Sequence, residues 1–552
     1  MPDPRKGFEL TTRRDFLTAA GAASLALTHA PALIGLRATH DLVIRGGTLI
    51  DGTGAPGMLG DVGISAGRIK AIGRRLSAVG TEEIDARGSA VAPGFIDIHS
   101  HGDSNLPDDP RAESLIRQGL TTIVVGADGD SGATGAPGDS FASYWTKVGS
   151  WRPAVNVASM VGLGAIRGKL IGEIDRPATP AEIAEMASWV AAALADGACG
   201  ASTGLEYTPG AFASLAELIE VSKPLARYRL PFATHMRNED DHLLDAIDEA
   251  IAVARGAGCP LEISHLKAQY PRNWNKQPLA FDRIAAARAS GVDVTFDRYP
   301  YIAYQTGLTN LFPVWSRAGG IDGFLARLAD STTEPRIRAA ALAKVEGLGG
   351  WDNVMITSVT DTADRAAEGK RLGSYAQGSG ADPYQTAVAL LRRSRGNVGM
   401  VGFAMSEEGL DQIFAHPQSM VCSDGGSYAI DGPTRRGSPH PRGLGSFPRV
   451  LARYVRERKA LTLEQAVHKM SGFPAARLKL GDRGRLARGC AADVVVFDPA
   501  TVADRATFEQ PFQYPGGISA VVVNGRIALQ GDERRDTVQH AGTPIRPTRW
   551  RA

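Results

Sequence analysis

This chain of 552 residues has only four cysteines and a net charge of only +2. There is no Cys-X-X-Cys pair among the four distant cysteines, Cys199, Cys259, Cys422 and Cys490, which argues against a disulfide framework or a zinc knuckle. Lys and Arg (61) nearly balance Asp and Glu (59), so no basic surface for nucleic acid is expected. The composition, with 43% hydrophobic and 22% charged residues, is typical of a globular protein with a large core.

Apolar runs long enough to cross a bilayer are also missing. In the N-terminal stretch TTRRDFLTAAGAASLALTHAPA, an Ala- and Leu-rich run follows Arg13, Arg14, Phe16 and Leu17. This layout is typical of a twin-arginine export signal, although an amphipathic helix is an alternative. We predict that residues 1–38 are a signal peptide recognised by the twin-arginine export machinery. The mature protein is then expected to be periplasmic or secreted, without a stable membrane span.

Both ends of the remaining chain carry short stretches of alternating apolar residues, separated by Gly-containing turns. HDLVIRGGTLIDG near the start and GGISAVVVNGRIAL near the end are typical of antiparallel strands, and Asn524-Gly525 is typical of a hairpin turn. We predict that residues 39–92 and 479–552 combine into one small β-sandwich domain.

The middle of the chain, residues 93–478, alternates between strand and helix patterns. Eight βα units favour an α/β fold with a closed (β/α)8 barrel of the TIM type. The strands are predicted at 94–101, 121–126, 155–161, 198–203, 231–236, 261–266, 292–301 and 420–424. The seventh connection is too long for one crossover helix. Residues from about 303 to 415 are therefore predicted to form an insertion over the barrel mouth that acts as a lid.

Two histidines stand close together in GFIDIHSHGD. His99 and His101 share one face if this stretch is a strand. His235 ends the fifth predicted strand, His265 ends the sixth, and Asp424 ends the eighth. Because active sites in such barrels lie at the carboxyl ends of the strands, these five side chains should converge. A lone histidine is usually a hydrogen-bonded core residue, but the common placement of four histidines favours a site for zinc or a similar metal.

The pattern resembles that of the amidohydrolase superfamily, which has His-X-His on strand one, a histidine on strands five and six, an aspartate on strand eight and a flanking β-sandwich. Within it, the chain looks most like the N-acyl-D-amino-acid deacylases, also called D-aminoacylases. The matching stretches are GLTTIVVGADG, STGLEYTPG, THMRNE, SHLK, FDRYPY, CSDG and HPRGLGSFPRVL. The resemblance implies a metal-dependent hydrolase that cleaves the linear amide bond of N-acyl-D-amino acids, with Zn²⁺ in one or two positions.

One residue departs from the family pattern. The related deacylases have a metal-ligating cysteine in a VGNCG-like stretch after strand two, where this chain has Asp128 in VGADG. A carboxylate can replace a thiolate as a zinc ligand, although it is a harder donor. Asp128 therefore joins the four histidines in the expected ligand set. The alternatives are Glu206 as the extra ligand, and Asp128 as a residue that only caps a turn.

The end of the fourth predicted strand lacks a lysine, and this absence bears on the type of amide that is cleaved. Hydantoinases and dihydroorotases of this superfamily use a carbamylated lysine there, and GACGASTGLEYTPG contains no lysine. Hydrolysis of cyclic amides is thus disfavoured. A metal held by His235, His265 and Asp128 would lower the pKa of a bound water, and the hydroxide formed would attack an amide carbonyl. Asp424 would take the proton and pass it to the leaving amine, while His99 and His101 would hold a second, weaker metal position or shape the first.

The resemblance also implies residues for a small-molecule substrate, an N-acyl amino acid or a peptide-like compound. Lys267 and Tyr299 match positions that bind the substrate carboxylate in the family, whereas a family serine is replaced by Gln305. Tyr207 and Arg442 fall on loops at the barrel mouth and are further candidates.

Two other functions stay open at this point. One is a dipeptidase, or another hydrolase of linear amides or carbamates, on the same metal site. The other is a catalytically silent periplasmic binding protein. The presence of Asp424 favours an enzyme, because a protein without activity would be free to lose it.

Overall fold

The computed structural model describes residues 39–535 and 541–548. The export signal predicted for residues 1–38 lies outside these residues. Within them, no helix combines the length and the apolarity needed to cross a bilayer. The four cysteines carry free thiols, and three of the four are buried.

The protein is an α/β structure, with strands at both ends of the chain and alternating strands and helices between them. The strands are β1 (His40–Leu49), β2 (Met58–Ser65), β3 (Arg68–Gly73), β4 (Gly80–Asp85), β5 (Ala90–Pro93), β6 (Phe95–Asp97), β7 (Leu120–Val125), β8 (Asn156–Ser159), β9 (Val161–Gly162), β10 (Ala201–Gly204), β11 (Phe232–His235), β12 (Leu261–Ile263), β13 (Val294–Arg298), β14 (Ala303–Gly307), β15 (Val354–Val359), β16 (Val398–Phe403), β17 (Ser419–Val421), β18 (Val494–Phe497), β19 (Ile518–Val523), β20 (Arg526–Gln530) and β21 (Glu533–Arg534).

The α-helices begin after the first parallel strand. They are α1 (Glu113–Ile116), α2 (Phe141–Trp151), α3 (Leu163–Leu170), α4 (Pro180–Asp196), α5 (Leu215–Ser222), α6 (Pro224–Tyr228), α7 (Leu243–Ala257), α8 (Lys276–Ala289), α9 (Gly320–Ala329), α10 (Glu334–Leu348), α11 (Leu372–Gly378), α12 (Pro383–Arg393), α13 (Glu407–Ala415), α14 (Arg442–Arg449), α15 (Leu463–Met470) and α16 (Gly472–Arg477). α14 contains Pro448 and continues as a π-helix over Val450–Glu457.

Strands from both chain ends form one nine-stranded sheet in the order β21-β20-β19-β18-β5-β1-β2-β3, with β4 paired to β1. The sequence predicted a sandwich, whereas here the sheet is continuous and curls on itself. The edge strand β3 and the residue before it are hydrogen-bonded to the segment before β18. Ile69 N donates to Cys490 O at 3.0 Å, and Ala492 N donates to Gly67 O at 2.9 Å. The curl lets apolar side chains of most of the strands pack into one core.

The parallel strands, which the sequence predicted to form one closed barrel, are divided between two sheets. β6, β7 and β8 make a three-stranded sheet, and β9 to β13 with β17 make a six-stranded sheet. Backbone hydrogen bonds link both pairs of edges: Cys199 N, just before β10, donates to Ser159 O in β8, and Asp424 N donates to His99 O, each at 2.9 Å. The ladders are interrupted at these two places because the chain leaves regular strand geometry there.

Residues 303–415, called the inserted segment below, lie between β13 and β17. β14, β16 and β15 form an antiparallel sheet in that order. α12 begins after Asp382, whose side chain accepts a hydrogen bond from Gln385 N at 2.9 Å. This cap satisfies an amide of the first helical turn.

Candidate active site

A cavity of about 1170 Å³ opens at the carboxyl ends of the parallel strands. His101, Asp128, His235, His265 and Asp424 all line it, and the inserted segment supplies part of its wall. In folds of parallel strands and helices this end of the sheet is where ligands and substrates bind.

Six side chains in and beneath this cavity form two groups that could each hold a metal ion. One group consists of His99, His101, Asp128 and Asp424, and the other of Asp128, His235 and His265. In each group the donor atoms lie within 4.8 Å of one another. Asp128 is the member that both groups share.

The two carboxylate oxygens of Asp128 face different histidines. Oδ1 lies 3.5 Å from Nε2 of His99 and 3.5 Å from Nε2 of His265. Oδ2 lies 3.5 Å from Nε2 of His101 and 4.0 Å from Nδ1 of His235. A carboxylate in this position can bridge two cations, or serve one cation at either position.

Three of the six residues have a left-handed backbone conformation. The φ angle is 52° at Asp128, 36° at His265 and 49° at Asp424. Positive φ is uncommon for residues with a side chain, and it is concentrated at functional sites where the surrounding structure maintains it. These conformations turn the side chains toward a common point.

The strands are therefore shorter than the sequence predicted. β6 ends at Asp97, so His99 and His101 follow the strand instead of lying within it. β12 and β17 end two and three residues before His265 and Asp424, respectively. His265 is still attached to the neighbouring strand β13, since its backbone N donates a hydrogen bond to the Asp297 carboxylate at 2.8 Å.

The loop that carries Asp128 is fastened to β10. Gly129 N donates to Ser202 Oγ at 3.0 Å, and the same hydroxyl donates to Gly126 O at 2.6 Å. A Cβ atom added to Gly129 would lie 2.8 Å from Gly204 N, and the φ angle of Gly129 is 84°. Only glycine allows this close approach of two backbones.

The donor set suits a divalent cation. Among the residues that the structure describes, none is a hydrogen-bond partner of the buried Nε2 of His99 or the buried Oδ1 of Asp128, which is rare for polar atoms unless they serve another role. Burial alone would lower the pKa of His99, but the carboxylates of Asp128 and Asp424 raise it to about 9. The cluster therefore has a strongly negative potential that favours a bound cation.

The outward nitrogens of two histidines face further carboxylates. Glu206 Oε2 lies 3.5 Å from His235 Nε2, and Glu239 Oε1 lies 3.1 Å from His265 Nδ1. Such carboxylates orient metal-binding histidines and increase their basicity. The structure thus places Glu206 behind His235, outside both groups of donor atoms.

Asp424 is held between the histidines and an arginine. Its Oδ1 lies 3.1 Å from His101 Nε2, and its Oδ2 accepts a hydrogen bond from Arg442 at 2.6 Å. Although burial opposes ionisation, Arg442 and the histidines hold the pKa of Asp424 far below its usual range. Asp424 is consequently a carboxylate at neutral pH, next to the point where a metal would bind.

Comparison with known proteins identifies the family. Residues 428–529 match the profile of the amidohydrolase family. The chain is 40% identical over 504 residues to the N-acyl-D-glutamate deacylase of Alcaligenes xylosoxydans, covering 88% of this chain and 93% of that protein. It is 36% identical over 525 residues to the D-aminoacylase of the same organism, covering 92% and 98%. The chain belongs to the N-acyl-D-amino-acid deacylase family of amidohydrolases. The resemblance found in the sequence is confirmed.

Solved structures of this deacylase family agree in fold. The N-acyl-D-glutamate deacylase of Bordetella bronchiseptica, in complex with zinc and a phosphonate inhibitor, superimposes with a TM-score of 0.78 at 36% identity, covering 92% of this chain and 99% of that one. A D-aminoacylase described as having a binuclear metal centre superimposes with a TM-score of 0.76 at 35% identity, covering 92% and 100%.

In this member of the deacylase family, Lys267 is buried and ion-paired. Its Nζ lies 2.6 Å from each oxygen of Glu239 and 2.7 Å from His265 Nδ1, and the residue is 2% exposed. Gln269 also donates to Glu239, at 3.0 Å. The ammonium group neutralises the carboxylate behind His265, while it also borders the cavity. Its assignment to the substrate carboxylate stays a prediction.

The other substrate-binding candidates also border the cavity. The Tyr299 hydroxyl is buried without a hydrogen-bond partner, and the Arg442 guanidinium lies 4.7 Å from the centre of its ring. The Tyr207 hydroxyl lies 3.2 Å from Thr306 Oγ1. The Arg442 guanidinium donates a hydrogen bond to the backbone oxygen of Gln305 at 3.4 Å.

Sequence reasoning missed the carboxylate of Glu239 and its contacts with His265 and Lys267. Glu239 lies four residues after His235 in THMRNE, a stretch that was noted only for its likeness to the family. Its role depends on contacts with His265 and Lys267, which lie 26 and 28 residues further along the chain. A glutamate closely following a candidate ligand was the one available signal.

Replacing Asp128 with alanine removes the carboxylate that both groups share. We expect zinc affinity, measured by chelator competition, to fall at least about tenfold, the loss typical of even an outer partner. Zinc content after dialysis, measured by atomic absorption, should fall as well.

Asp130→Ala is the matched control, because Asp130 carries the same charge two residues away and is exposed. This variant should retain the zinc affinity of the parent. Unchanged stoichiometry and affinity in Asp128→Ala would exclude Asp128 as a ligand.

Proposed function

We propose that the protein hydrolyses the linear amide bond of N-acyl-D-amino acids, releasing a carboxylate and a free D-amino acid. The observation that carries this proposal is the pair of donor groups sharing Asp128 at the cavity, in a chain 40% identical to an N-acyl-D-glutamate deacylase. Dipeptide or carbamate hydrolysis and a silent binding role are not favoured by these relatives.

His99, His101, Asp128, His235 and His265 would hold the metal, which we propose to be zinc in one or two positions. Support comes from the nitrogen and oxygen donors of this chain and from the zinc in the Bordetella bronchiseptica deacylase structure. Bound there, a divalent cation supplies a lowered water pKa and a positive charge for the amide oxygen.

Asp424 would move the proton. As a carboxylate beside His101, it accepts a proton from the water whose oxygen attacks the amide carbon. It then delivers that proton to the amide nitrogen as the carbon–nitrogen bond breaks, so that a carboxylate and an amine leave. Arg442 fixes Oδ2 of Asp424 and leaves Oδ1 facing the cluster.

The substrate carboxylate would be bound by other side chains that border the cavity. The unpartnered hydroxyl of Tyr299 offers a hydrogen bond, and Lys267 offers a positive charge within a polar network. Tyr207 and Arg442 are further contacts in this proposal. Each of these side chains borders the cavity.

We also infer that the two parallel sheets act as one closed (β/α)8 barrel over residues 93–478, with 39–92 and 479–552 as a separate β-domain and the inserted segment as a lid. The backbone hydrogen bonds across both pairs of sheet edges support this interpretation. For residues 1–38 we propose twin-arginine export to the periplasm or beyond, supported by Arg13-Arg14 and the apolar run after them.

The substrate class is tested with the zinc-loaded protein and a matched panel. N-acetyl-D-glutamate, N-acetyl-D-aspartate and N-acetyl-D-leucine are compared with their L-enantiomers, simple dipeptides and an N-carbamoyl amino acid. We expect amine release from at least one D-compound at rates far above those of its L-enantiomer. Preferential release from the dipeptides or the carbamoyl compound would overturn the proposal, as would no release from any compound.

Asp424→Asn tests the proton carrier. We expect kcat to fall by about 10²- to 10⁴-fold, the usual contribution of general acid–base catalysis. Zinc should still bind to the group of Asp128, His235 and His265, which does not include Asp424. Asp431→Asn is the control, because Asp431 is exposed on the same loop; full turnover in Asp424→Asn would refute the role.

Replacing both Arg13 and Arg14 with lysine tests export, because twin-arginine signals depend on the arginine pair. In a bacterial host with this pathway, we expect the variant to accumulate as an unprocessed cytoplasmic protein while the parent is processed and exported. Immunoblots of cell fractions give the readout. Equal export of both proteins would mean that the segment is not such a signal.

A further inference from the structure

Glu206 is a buried carboxylate that the proposed reaction does not use. It is 8% exposed and follows β10 by two residues. Burial of a charged carboxylate is unfavourable unless it is neutralised and hydrogen-bonded. The groups that satisfy Glu206 therefore indicate what the structure gains from it.

The inserted segment provides those groups. Asn310 Nδ2 donates to Glu206 Oε2 at 3.2 Å, and Lys344 Nζ lies 3.9 Å from Oε1. Lys344 also donates to Asn310 Oδ1 at 2.7 Å, which joins the two side chains. Arg317 donates to the backbone oxygen of Glu206 at 2.9 Å. Three residues of the inserted segment thus converge on one residue after β10.

Glu206 in turn faces a predicted metal ligand. Its Oε2 lies 3.5 Å from Nε2 of His235, the nitrogen that points away from Asp128. The next residue, Tyr207, packs its ring 4.7 Å from the His235 ring, and its hydroxyl contacts Thr306 of the inserted segment at 3.2 Å. Two of the neighbours of the His235 ring, Glu206 and Tyr207, are therefore held by contacts with the inserted segment.

We infer that the inserted segment sets the orientation of His235 through Glu206, with Asn310 and Lys344 as positioning residues. The inference rests on the proposed function, because it takes His235 as a metal ligand. A carboxylate on the outer nitrogen of a ligating histidine fixes the ring and its tautomer. Lys344 and Asn310 hold that carboxylate in place, facing His235.

The second histidine of the same group provides an internal comparison. His265 has an equivalent carboxylate in Glu239, but there the lysine is Lys267, two residues further along from His265 itself. The support for His265 is contained in the segments around β11 and β12. Glu239 Oε2 also lies 3.9 Å from Nε2 of His235, but the nearer carboxylate, Glu206, is held by residues 104 and 138 positions away, Asn310 and Lys344. Metal binding at His235 is consequently coupled to the packing of the inserted segment against Glu206, after the end of β10.

The test measures zinc affinity by chelator competition for Glu206→Gln and Lys344→Met. We expect both variants to bind zinc about 10- to 100-fold more weakly than the parent, the range found for outer partners of metal ligands. Lys344→Arg keeps the positive charge and should recover most of the affinity. Lys370→Met removes an exposed lysine of the inserted segment and should leave the affinity unchanged.

Thermal unfolding of the zinc-depleted proteins separates positioning from general damage. We expect folded variants whose midpoints stay near that of the parent. If Lys344→Met does not fold, Asn310→Ala gives the same readout, because it removes the hydrogen-bond donor to Glu206 Oε2. Parental zinc affinity in the folded Glu206 and Lys344 variants would overturn the inference. Failure of the parent protein itself to bind zinc would instead overturn the proposed function.

Discussion

The carboxylate of Asp128 is the interaction on which the site depends. It is the one donor common to the two groups, with Oδ1 facing His99 and His265 and Oδ2 facing His101 and His235. Without it, no shared carboxylate would join the group of His99, His101 and Asp424 to the pair of His235 and His265. Because both groups include this carboxylate, a cation bound at one position would change the electrostatic potential at the other.

That orientation is fixed by backbone geometry rather than by side-chain contacts. Asp128 has a φ angle of 52°, and the following Gly129 packs against the backbone of Gly204 at the end of β10. Ser202 bonds the same loop at two points. The strain of a left-handed aspartate is offset by the many contacts of the loop around it. The result is a preorganised donor whose position costs nothing further when a cation arrives.

Much of the site could be predicted from local sequence, since strand ends and the period of two are local properties. The positions of His99, His101, His235, His265 and Asp424 at one end of the parallel strands follow from them, and the structure brings these side chains together. The early strand ends and the positive φ angles could not be predicted, because distant segments impose them. The same holds for the closure of the terminal strands into one curled sheet, which depends on a contact between residues more than 400 positions apart.

Positive charge is distributed unevenly among the carboxylates near the histidines. Three of these carboxylates each have a cationic side chain of their own. The pairs are Glu239 with Lys267, Glu206 with Lys344, and Asp424 with Arg442. Within the described residues, the ion pairs of Asp128 are with histidines alone. Histidines that bind a metal must be neutral, so they cannot also neutralise Asp128. The cation itself then has to supply the balancing charge, which joins metal binding to the electrostatic stability of the whole cluster.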